Sequence, residues 1–265
     1  MKHTSYFLTA GLAVLSLLTG CSEKEAIVNT AQDISTDALS QIRQLGFSAA
    51  GVQRDEAGNY IVEGDIVLSP ADLNQRPAVQ LLRVGQAEQY RTTNLVTGLP
   101  RVVTVSISGQ LPSSYVAGLD EALARFNAQN LQLTFARVSS GGVINIGRGN
   151  GSYLASAGFP SGGNPYPEVK VNSRAIGNTP VQAYLATILA HEIGHCIGFR
   201  HTDYMDRSYS CGGATSNEGA STVGAVLIPG TPATADPSSW MLACIGTGQS
   251  RPFNANDQTA LNYLY

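Results

Sequence analysis

Hydrophobic positions along the chain follow a strand period in some segments and a helix period in others. Runs of apolar and β-branched residues predict short strands at residues 102–108, 131–137, 143–146 and 168–172. A helix is predicted where apolar residues recur at helical spacing, at Val116, Leu119, Leu123 and Phe126. Before these elements the pattern predicts a helix around residues 34–45 and an extended segment over 60–68. Helices and strands therefore occur together, which predicts an α+β fold.

One helix has clearer predicted boundaries than the others. Thr179 is a suitable N-cap, Pro180 fits the first helical position, and Gln182 completes a capping box. The apolar period then continues to Gly198, where glycine can adopt the left-handed conformation that ends a helix. This segment is therefore the best candidate for a central helix.

The composition is that of a folded globular protein. Of the 265 residues, 43% are hydrophobic and 13% are charged, which argues against disorder. The 28 glycines fit long loops, and residues 202–250 read mostly as loop before a short terminal helix over 257–264. The net charge of −3 and the lack of a long Lys/Arg run give no reason to expect nucleic acid as a partner.

Residues 1–21 have the pattern of an export signal. Lys2 precedes an apolar stretch over 6–18 that is too short to span a bilayer as a helix. The stretch ends in Leu-Thr-Gly before Cys21, which resembles the bacterial lipobox, where the signal is cut before a cysteine that is then lipidated. An ordinary secretion signal is the alternative. Because Ser22 stands where Asp would direct retention in the inner membrane, we expect a lipid anchor in the outer membrane or at the cell surface, unless processing releases the protein.

The run 191–201 carries the candidate chemistry, and it reads His-Glu-Ile-Gly-His-Cys-Ile-Gly-Phe-Arg-His. A helix presents His191 and His195 on one face, and a turn after the helix can return His201 as a third ligand. Glu192 is adjacent and suits a base that acts on metal-bound water. Three neutral nitrogens leave one tetrahedral position open, which is the pattern of catalytic rather than structural zinc.

These histidines have two other possible interpretations. They could be unrelated, but every histidine apart from His3 lies in this one run. The site could also be a closed structural zinc centre with a cysteine as its fourth ligand. Cys196 projects about 100° away from His195 around the helix, so this site would require Cys211 or Cys244.

The run resembles the long zinc motif of the metzincin peptidases, and its His-Glu-Ile-Gly-His core resembles the bacterial dual-action HEIGH metallopeptidases. Residues 236–241 are similar to the methionine turn beneath the metzincin zinc, with Met241 as its methionine, and 253–261 are similar to the start of the last metzincin helix. The sequence departs at Ala243, where astacins and serralysins have a tyrosine. The residue after the third histidine, Thr202, does not assign the chain to a branch of the clan.

The resemblance implies a catalytic domain over 101–265 with a small mixed, twisted sheet, an active-site helix and a loop-rich C-terminal subdomain closed by a terminal helix. It implies a zinc endopeptidase that cleaves protein or peptide substrates through metal-activated water, with Glu192 as its base. The zinc ligands would be His191, His195 and His201. We expect a monomer.

The resemblance also suggests how a substrate would be bound. Metzincin substrates pair with an edge strand above the zinc, and residues 154–157 are our candidate for that strand. The loop over 224–237 is our candidate for the specificity pocket wall. The alternative function is a non-catalytic zinc-containing surface lipoprotein that binds a protein partner, but such a module would have no need of Glu192 beside its metal.

Three cysteines remain if Cys21 is lipidated, and an exported protein can form one disulfide from them. Three pairings are possible. We favour Cys211 with Cys244, which would tie the loop after the third histidine to the segment after Met241. Cys196 would then be buried and free.

Residues 22–100 are assigned to a pro-region or N-terminal accessory region. Within them the segment 62–66, Val-Glu-Gly-Asp-Ile, resembles the aspartate-switch segment of astacin pro-peptides, although a valine replaces the phenylalanine of that pattern. Asp65 could be a fourth zinc ligand that displaces water, and Gly64 allows the backbone to approach closely. A plain acidic turn is the alternative. The activation cut would fall in the segment 69–101, near Arg83, Arg91 or Arg101.

Overall fold

The structure is a computed structural model that describes residues 1, 34–74, 89–219, 223–232 and 234–265. The predicted export signal from residue 2 onward, including Cys21, and the candidate activation site at Arg83 lie outside the described residues. The elements below belong to one compact unit, Gln32–Tyr265. Among the described residues, no helix combines the length and the apolar character that a membrane span requires.

The helices occupy most of the segments where helical spacing predicted them. In the described part of the chain they are α1 (Thr36–Gln44), α2 (Ser114–Asn127), α3 (Ser173–Ile176), α4 (Gln182–Ile197), α5 (Ser208–Cys211) and α6 (Ala255–Leu264). Helix α4 is buried from Tyr184 to Ile197, so it forms the centre of the domain.

Helix α4 begins later than the sequence predicts. The N-cap expected at Thr179 is wrong, because Val181 is the N-cap and keeps an extended backbone with ψ of 128°. Because the Val181 backbone is extended, Pro180 is not the first helical residue and the helix starts at Gln182. The predicted end is confirmed: Gly198 has φ of 114°, and its N–H donates to the carbonyls of Gly194 and His195.

The strands form one mixed sheet and a separate two-stranded pair. They are β1 (Gln53–Arg54), β2 (Tyr60–Val62), β3 (Ile66–Leu68), β4 (Tyr90–Arg91), β5 (Arg101–Ile107), β6 (Leu133–Val138), β7 (Ile144–Arg148), β8 (Ala155–Ala157), β9 (Glu168–Val171) and β10 (Val226–Leu227). The order in the large sheet is β1-β2-β3-β8-β9-β7-β5-β6, with parallel pairs from β9 to β6 and antiparallel pairs at β8–β9 and in the β1–β3 meander. This mixed α+β architecture is the predicted fold class.

The extended segment predicted over 60–68 is a hairpin. Strands β2 and β3 pair antiparallel, and the chain reverses through Glu63 and Gly64, whose φ angles are 55° and 96°. Gly64 adopts a positive φ at little cost, whereas a glutamate with positive φ is uncommon. The turn was therefore not predicted from the sequence. These strands come from the predicted pro-region but lie in the same sheet as the catalytic strands.

Strand β8, which covers part of the candidate substrate strand over 154–157, is not a free edge in this structure. Strand β3 pairs with β8 in parallel, with Ile66 opposite Ala157, and the N–H of Ala157 donates to the Asp65 carbonyl at 2.9 Å. On its other side β8 pairs with β9. The hairpin from the N-terminal region therefore occupies the edge that was expected to receive substrate.

Helices α2 and α4 pack together beside the sheet. Gly118 makes their close approach possible, because a Cβ at this position would lie 2.7 Å from the Leu185 side chain. An aromatic cluster joins α2 to the C-terminal segments: the ring centroids of Phe126 and Trp240 are 5.4 Å apart, and those of Trp240 and Phe253 are 4.7 Å apart. These contacts anchor the loop-rich C-terminal region to the core.

A buried carboxylate connects α6 to the segment before Met241. Asp257 accepts hydrogen bonds from the Trp240 N–H at 3.3 Å, the Asn254 N–H at 3.0 Å and the Ser239 hydroxyl at 3.0 Å. Burial raises the pKa of Asp257 to about 7, although these hydrogen bonds act in the opposite direction.

Candidate metal and active site

Three imidazoles converge at the end of helix α4. His191 and His195 lie on one face of the helix, and the turn at Gly198 returns His201 to them. The Nε2 atoms of His195 and His201 are 3.2 Å apart, and all three rings are buried. Two ring nitrogens this close form a site suited to a cation when neither of them carries a hydrogen.

Each of these rings has an acceptor for its Nδ1–H. His191 Nδ1 lies 3.0 Å from the Trp240 carbonyl, and His195 Nδ1 lies 2.9 Å from the Phe199 carbonyl. His201 Nδ1 lies 2.8 Å from a carboxylate oxygen of Glu218. A proton held on Nδ1 leaves the Nε2 lone pair free, so the three acceptors select the tautomer that binds a metal.

Asp65 completes the cluster from the β2–β3 hairpin. Its Oδ2 atom lies 3.1 Å from His201 Nε2 and 3.5 Å from His191 Nε2. Asp65, His191, His195 and His201 each offer one ligand atom, and these atoms all lie within 4.8 Å of one another. The four side chains predicted to meet at the zinc are therefore brought together in space.

The donor set fits a zinc ion. His191 Nε2 and Asp65 Oδ1 are buried and have no hydrogen-bond partner among the described residues. A bound cation would satisfy both atoms. Burial alone would lower the pKa of His201, but Asp65 and Glu218 raise it well above its usual range. The surroundings therefore favour positive charge at the point where the imidazoles meet Asp65, and a divalent cation supplies it.

Glu192 is buried next to this cluster on the same helix. Burial raises the pKa of its carboxyl group well above the usual range, the negative charge of Asp65 raises it further, and His201 acts in the opposite direction. Its Oε2 atom has no hydrogen-bond partner in the described part of the chain. Glu192 lines the same cavity as His191, so its carboxyl group can meet a molecule that enters there.

Met241 lies directly under the zinc helix. Its side chain is fully buried, and a Cβ added at Gly194 would lie 2.7 Å from its sulfur atom and 2.5 Å from the Trp240 ring. Glycine between the two histidines is therefore a packing requirement. The Met241 carbonyl also accepts from the Thr202 N–H at 2.9 Å, which fixes the chain just after His201.

Glu218 is a functional residue that the sequence interpretation missed. Its carboxylate is buried between His201 Nδ1 at 2.8 Å and Arg207 Nε at 3.0 Å. Arg200 lies 3.7 Å from the same carboxylate and 3.3 Å from Glu63. The side chains of Arg200, Glu63 and Glu218 are fully buried. Only proximity to the histidine run could have suggested Glu218, because it lies in a loop without any periodic pattern.

A disulfide joins the loop that carries Glu218 to the segment after Met241. Cys211 and Cys244 are bonded, and their Cα atoms are 5.1 Å apart. The remaining described cysteine, Cys196, is buried with a free thiol. Cys196 lies on α4 and contributes to the core, so no cysteine belongs to the metal cluster among the described residues.

The cavity beside Glu192 has different walls from those expected. It is lined by Trp240 and residues 242–245, by Ser152–Ala155 and by helix α4, together with Gly64 and Asp65 of the hairpin. The loop over 224–237 was expected to form a wall, but none of its described residues lines this cavity. That part of the chain is instead engaged elsewhere, since β10 pairs with β4.

The convergent imidazoles, the buried glutamate beside them and the mixed sheet above define a zinc metallopeptidase. The family model of the dual-action HEIGH metallo-peptidases matches residues 60–265 of this sequence. The match covers most of the chain, and the protein therefore belongs to that family.

Several solved structures are similar to this chain at low identity. A structure of myroilysin is 15% identical, with a TM-score of 0.41, and the alignment covers 64% of this chain and 82% of that one. High choriolytic enzyme 1, a hatching enzyme zinc-protease from the medaka fish Oryzias latipes, is also 15% identical, with a TM-score of 0.33 and coverage of 62% and 88%. No curated protein matches the sequence significantly.

Proposed function

We propose that this metallopeptidase is an exported, lipid-anchored endopeptidase made as a latent precursor, with Asp65 as its internal inhibitor. The observation that carries the proposal is the position of the Asp65 carboxylate, whose Oδ2 lies 3.1 Å from His201 Nε2 and 3.5 Å from His191 Nε2. A carboxylate in this position is a fourth metal ligand and takes the place that water needs.

In the proposed active form, His191, His195 and His201 hold the zinc ion through their Nε2 atoms. When bound, the zinc ion supplies Lewis acidity that makes water more acidic and stabilises negative charge on a carbonyl oxygen. Glu192 takes a proton from water on its carboxylate and then gives it to the nitrogen of the leaving amine. Met241 and Gly194 keep the helix in place beneath these groups.

The N-terminal hairpin also blocks the expected substrate path. Strand β3 pairs with β8, and the Ala157 N–H donates to the Asp65 carbonyl, so the backbone edge of β8 is already used. Gly64 and Asp65 line the cavity that contains Glu192. An extended substrate would need the same strand edge and the same cavity, which favours an inhibitory role for the hairpin over an ordinary acidic turn.

Export and anchoring are proposed from the sequence before the described domain. The apolar stretch and the Leu-Thr-Gly sequence before Cys21 suit lipidation. A disulfide between Cys211 and Cys244 suits an oxidising compartment. We propose attachment to the outer membrane or cell surface as a monomer, with the activation cut in residues 69–101.

Latency is tested on purified full chain that carries its uncleaved N-terminal region. The Asp65→Ala variant should cleave casein and lose this activity with a chelator, whereas the unmutated precursor should not cleave it. Asp37→Ala is the matched control, because Asp37 is an exposed aspartate on α1 outside the metal cluster. Equal activity of the precursor and its Asp65→Ala variant would reject the switch, and chelator-insensitive cleavage would reject the metal mechanism.

Anchoring is tested in a bacterium that lipidates exported proteins. The unmutated protein should partition into the detergent phase and carry labelled fatty acid, while Cys21→Ser should remain in the aqueous phase without label. Equal partitioning of both forms would reject the lipid anchor and leave the peptidase activity unaffected.

A further inference from the structure

An arginine, Arg251, lines the cavity beside the zinc cluster at some distance from the metal ligands. The cavity has a volume of about 300 Å³, and His191 and Glu192 are among its lining residues. Thr187 and Ile188 line it one helical turn earlier on α4, and Arg251 lines it as well. The cavity therefore extends from the reacting groups along the helix to a guanidinium group.

Two hydrogen bonds hold Arg251 in this position. Its backbone N–H donates to the Thr187 hydroxyl at 3.0 Å, and its guanidinium Nη1 donates to the Cys244 carbonyl at 2.8 Å. Thr187 precedes His191 by four residues, which is about 6 Å along the helix axis. The Arg251 backbone is thus fixed roughly one turn below the metal ligands, and the disulfide at Cys244 steadies the carbonyl that orients its side chain.

Arg251 differs from two neighbouring arginines in its charge partners. Arg207 pairs with Glu218 at 3.0 Å, and Arg125 pairs with Glu121 at 2.5 Å. Within the described residues, no carboxylate lies within ion-pair distance of Arg251. Burial lowers the pKa of Arg251, and the more distant Asp203 only partly opposes this effect. A partly buried cation without a carboxylate partner gains most from a ligand that brings one.

The remaining cavity walls are mainly apolar. Leu242, Ile245, Ile188 and Trp240 line the cavity. Arg207 lines it too, but its charge is paired with Glu218. A side chain that fills this space needs an apolar stem and an anionic end. Glutamate and aspartate have this chemistry, whereas lysine and arginine would bring a second positive charge next to Arg251.

We infer that Arg251 is a specificity-determining residue that selects peptide bonds next to an acidic side chain, which enters this cavity and pairs with the guanidinium. The inference rests on the proposed peptidase function and names its substrate class. It requires the Arg251 guanidinium to bind substrate carboxylate while its Nη1 continues to donate to Cys244, and a guanidinium has enough donors for both.

The test uses two fluorogenic peptide pools with random positions that omit Asp and Glu. One pool has a fixed central Glu and the other a fixed central Gln. Cleavage of both pools is measured with the full chain and with its Asp65→Ala variant as the enzyme. The variant is included because Asp65 lines the same cavity. We expect about tenfold faster cleavage of the Glu pool, at a bond next to the fixed residue.

Variants assign this preference to Arg251. Arg251→Met should bring the ratio of the two rates close to one, and Arg251→Lys should keep part of the preference for Glu. Arg251→Glu should favour a third pool, which has a fixed central Lys. Arg174→Met is the matched control, since Arg174 is exposed and lies outside the cavity. The ratio is measured within each variant, so a general loss of folded protein does not mimic the effect.

Fluorescence anisotropy of the labelled pools provides a second measurement that does not require cleavage. Tighter binding of the Glu pool, lost in Arg251→Met, supports the inference even if no bond is cut. Chelator-sensitive cleavage with equal rates for both pools would overturn the role of Arg251 and leave the peptidase function standing. Absence of cleavage would contradict the proposed function, and equal binding of both pools would then overturn the inference independently.

Discussion

The zinc helix and the carboxylates around it reach the same point by different routes. His191, Glu192 and His195 lie on one helix, and their separation follows from its period. Asp65 and Glu218 come from a hairpin and a loop, 136 and 17 residues away from His201 in the chain. Local geometry therefore sets the metal ligands on α4, whereas tertiary packing sets the charges that orient or block them.

The two regions also depend on different forces. Helix α4 is buried over nearly its whole length, so hydrophobic packing holds its histidines in place. The carboxylates depend on buried ion pairs, and removal of one partner leaves the other charge buried without compensation. We therefore expect changes to the histidines and Glu192 to affect metal binding or chemistry directly, and a loss of charge at Glu218 alone to have a smaller effect.

The largest effects should come from two substitutions on the helix that differ in kind. His195→Ala should remove bound zinc and abolish cleavage, because one of the three imidazole ligands is lost. Glu192→Gln should retain zinc and reduce the cleavage rate by about 10²–10⁴-fold, as expected for loss of a general base. Both substitutions are made in the Asp65→Ala chain, which is not latent, and metal analysis and peptidase assays on the same samples separate the two outcomes. Full turnover by Glu192→Gln would show that another group is the base.

The next effect concerns the disulfide that ties the Glu218 loop to the Met241 segment. Cys211 and Cys244 are separated by 33 residues, and a bond closing a loop of this size contributes about 3–4 kcal/mol to stability in the loop-entropy description. The double serine variant should lose about that much free energy of unfolding, measured by denaturant titration. Reduction of the unmutated protein should cause the same loss, and a double serine variant as stable as the oxidised unmutated protein would contradict this assignment.

A smaller effect is expected at Glu218, which orients His201 without contacting the metal cluster elsewhere. Glu218→Gln keeps an oxygen acceptor for His201 Nδ1–H but loses the negative charge, so zinc affinity should fall by about tenfold. Competition with a chromophoric chelator measures this directly. Glu56→Gln, at an exposed glutamate, is the control. Unchanged affinity in Glu218→Gln would mean that the charge of Glu218 has no influence on the ligand.

The smallest effect on activity is expected at Asp257, whose titration appears instead in the pH dependence of stability. Its folded pKa of about 7 exceeds the usual value of 3.8, so the folded protein binds a proton that the unfolded chain has released between these pH values. Stability contributed by this group is therefore complete below pH about 4 and is lost as the pH rises towards 7. Asp257→Asn should flatten this part of the stability curve, measured by denaturation at several pH values. An unchanged slope would show that Asp257 does not titrate in that range.

Structure is predictable from the sequence where a local period or a glycine determines it. Helices α2 and α4, the α4 end at Gly198 and the position of most strands were predictable in this way. The start of α4 was not, because the capping pattern at Thr179 does not show that the Val181 backbone stays extended.

Features that depend on tertiary contacts were not predictable in the same way. Glu218 has no sequence pattern, and the cavity wall lies at Trp240 and residues 242–245 rather than in the loop over 224–237. The pairing of β3 with β8 was also hidden, because strand edges are assigned only when distant segments meet. Asp65 was proposed from a resemblance alone, and its distance from His201 could come only from the fold.

The central claim is that zinc lies between His191 and His195 of α4, His201 after the turn and the Asp65 carboxylate of the latent chain. A crystal structure of the zinc-loaded full chain, with anomalous scattering recorded at the zinc edge, tests it most directly. The account predicts one ion about 2.0–2.2 Å from the Nε2 atoms of His191, His195 and His201 and from an Asp65 oxygen. An ion that lacks any of these imidazole ligands, or one with Asp65 displaced from it, would contradict the account.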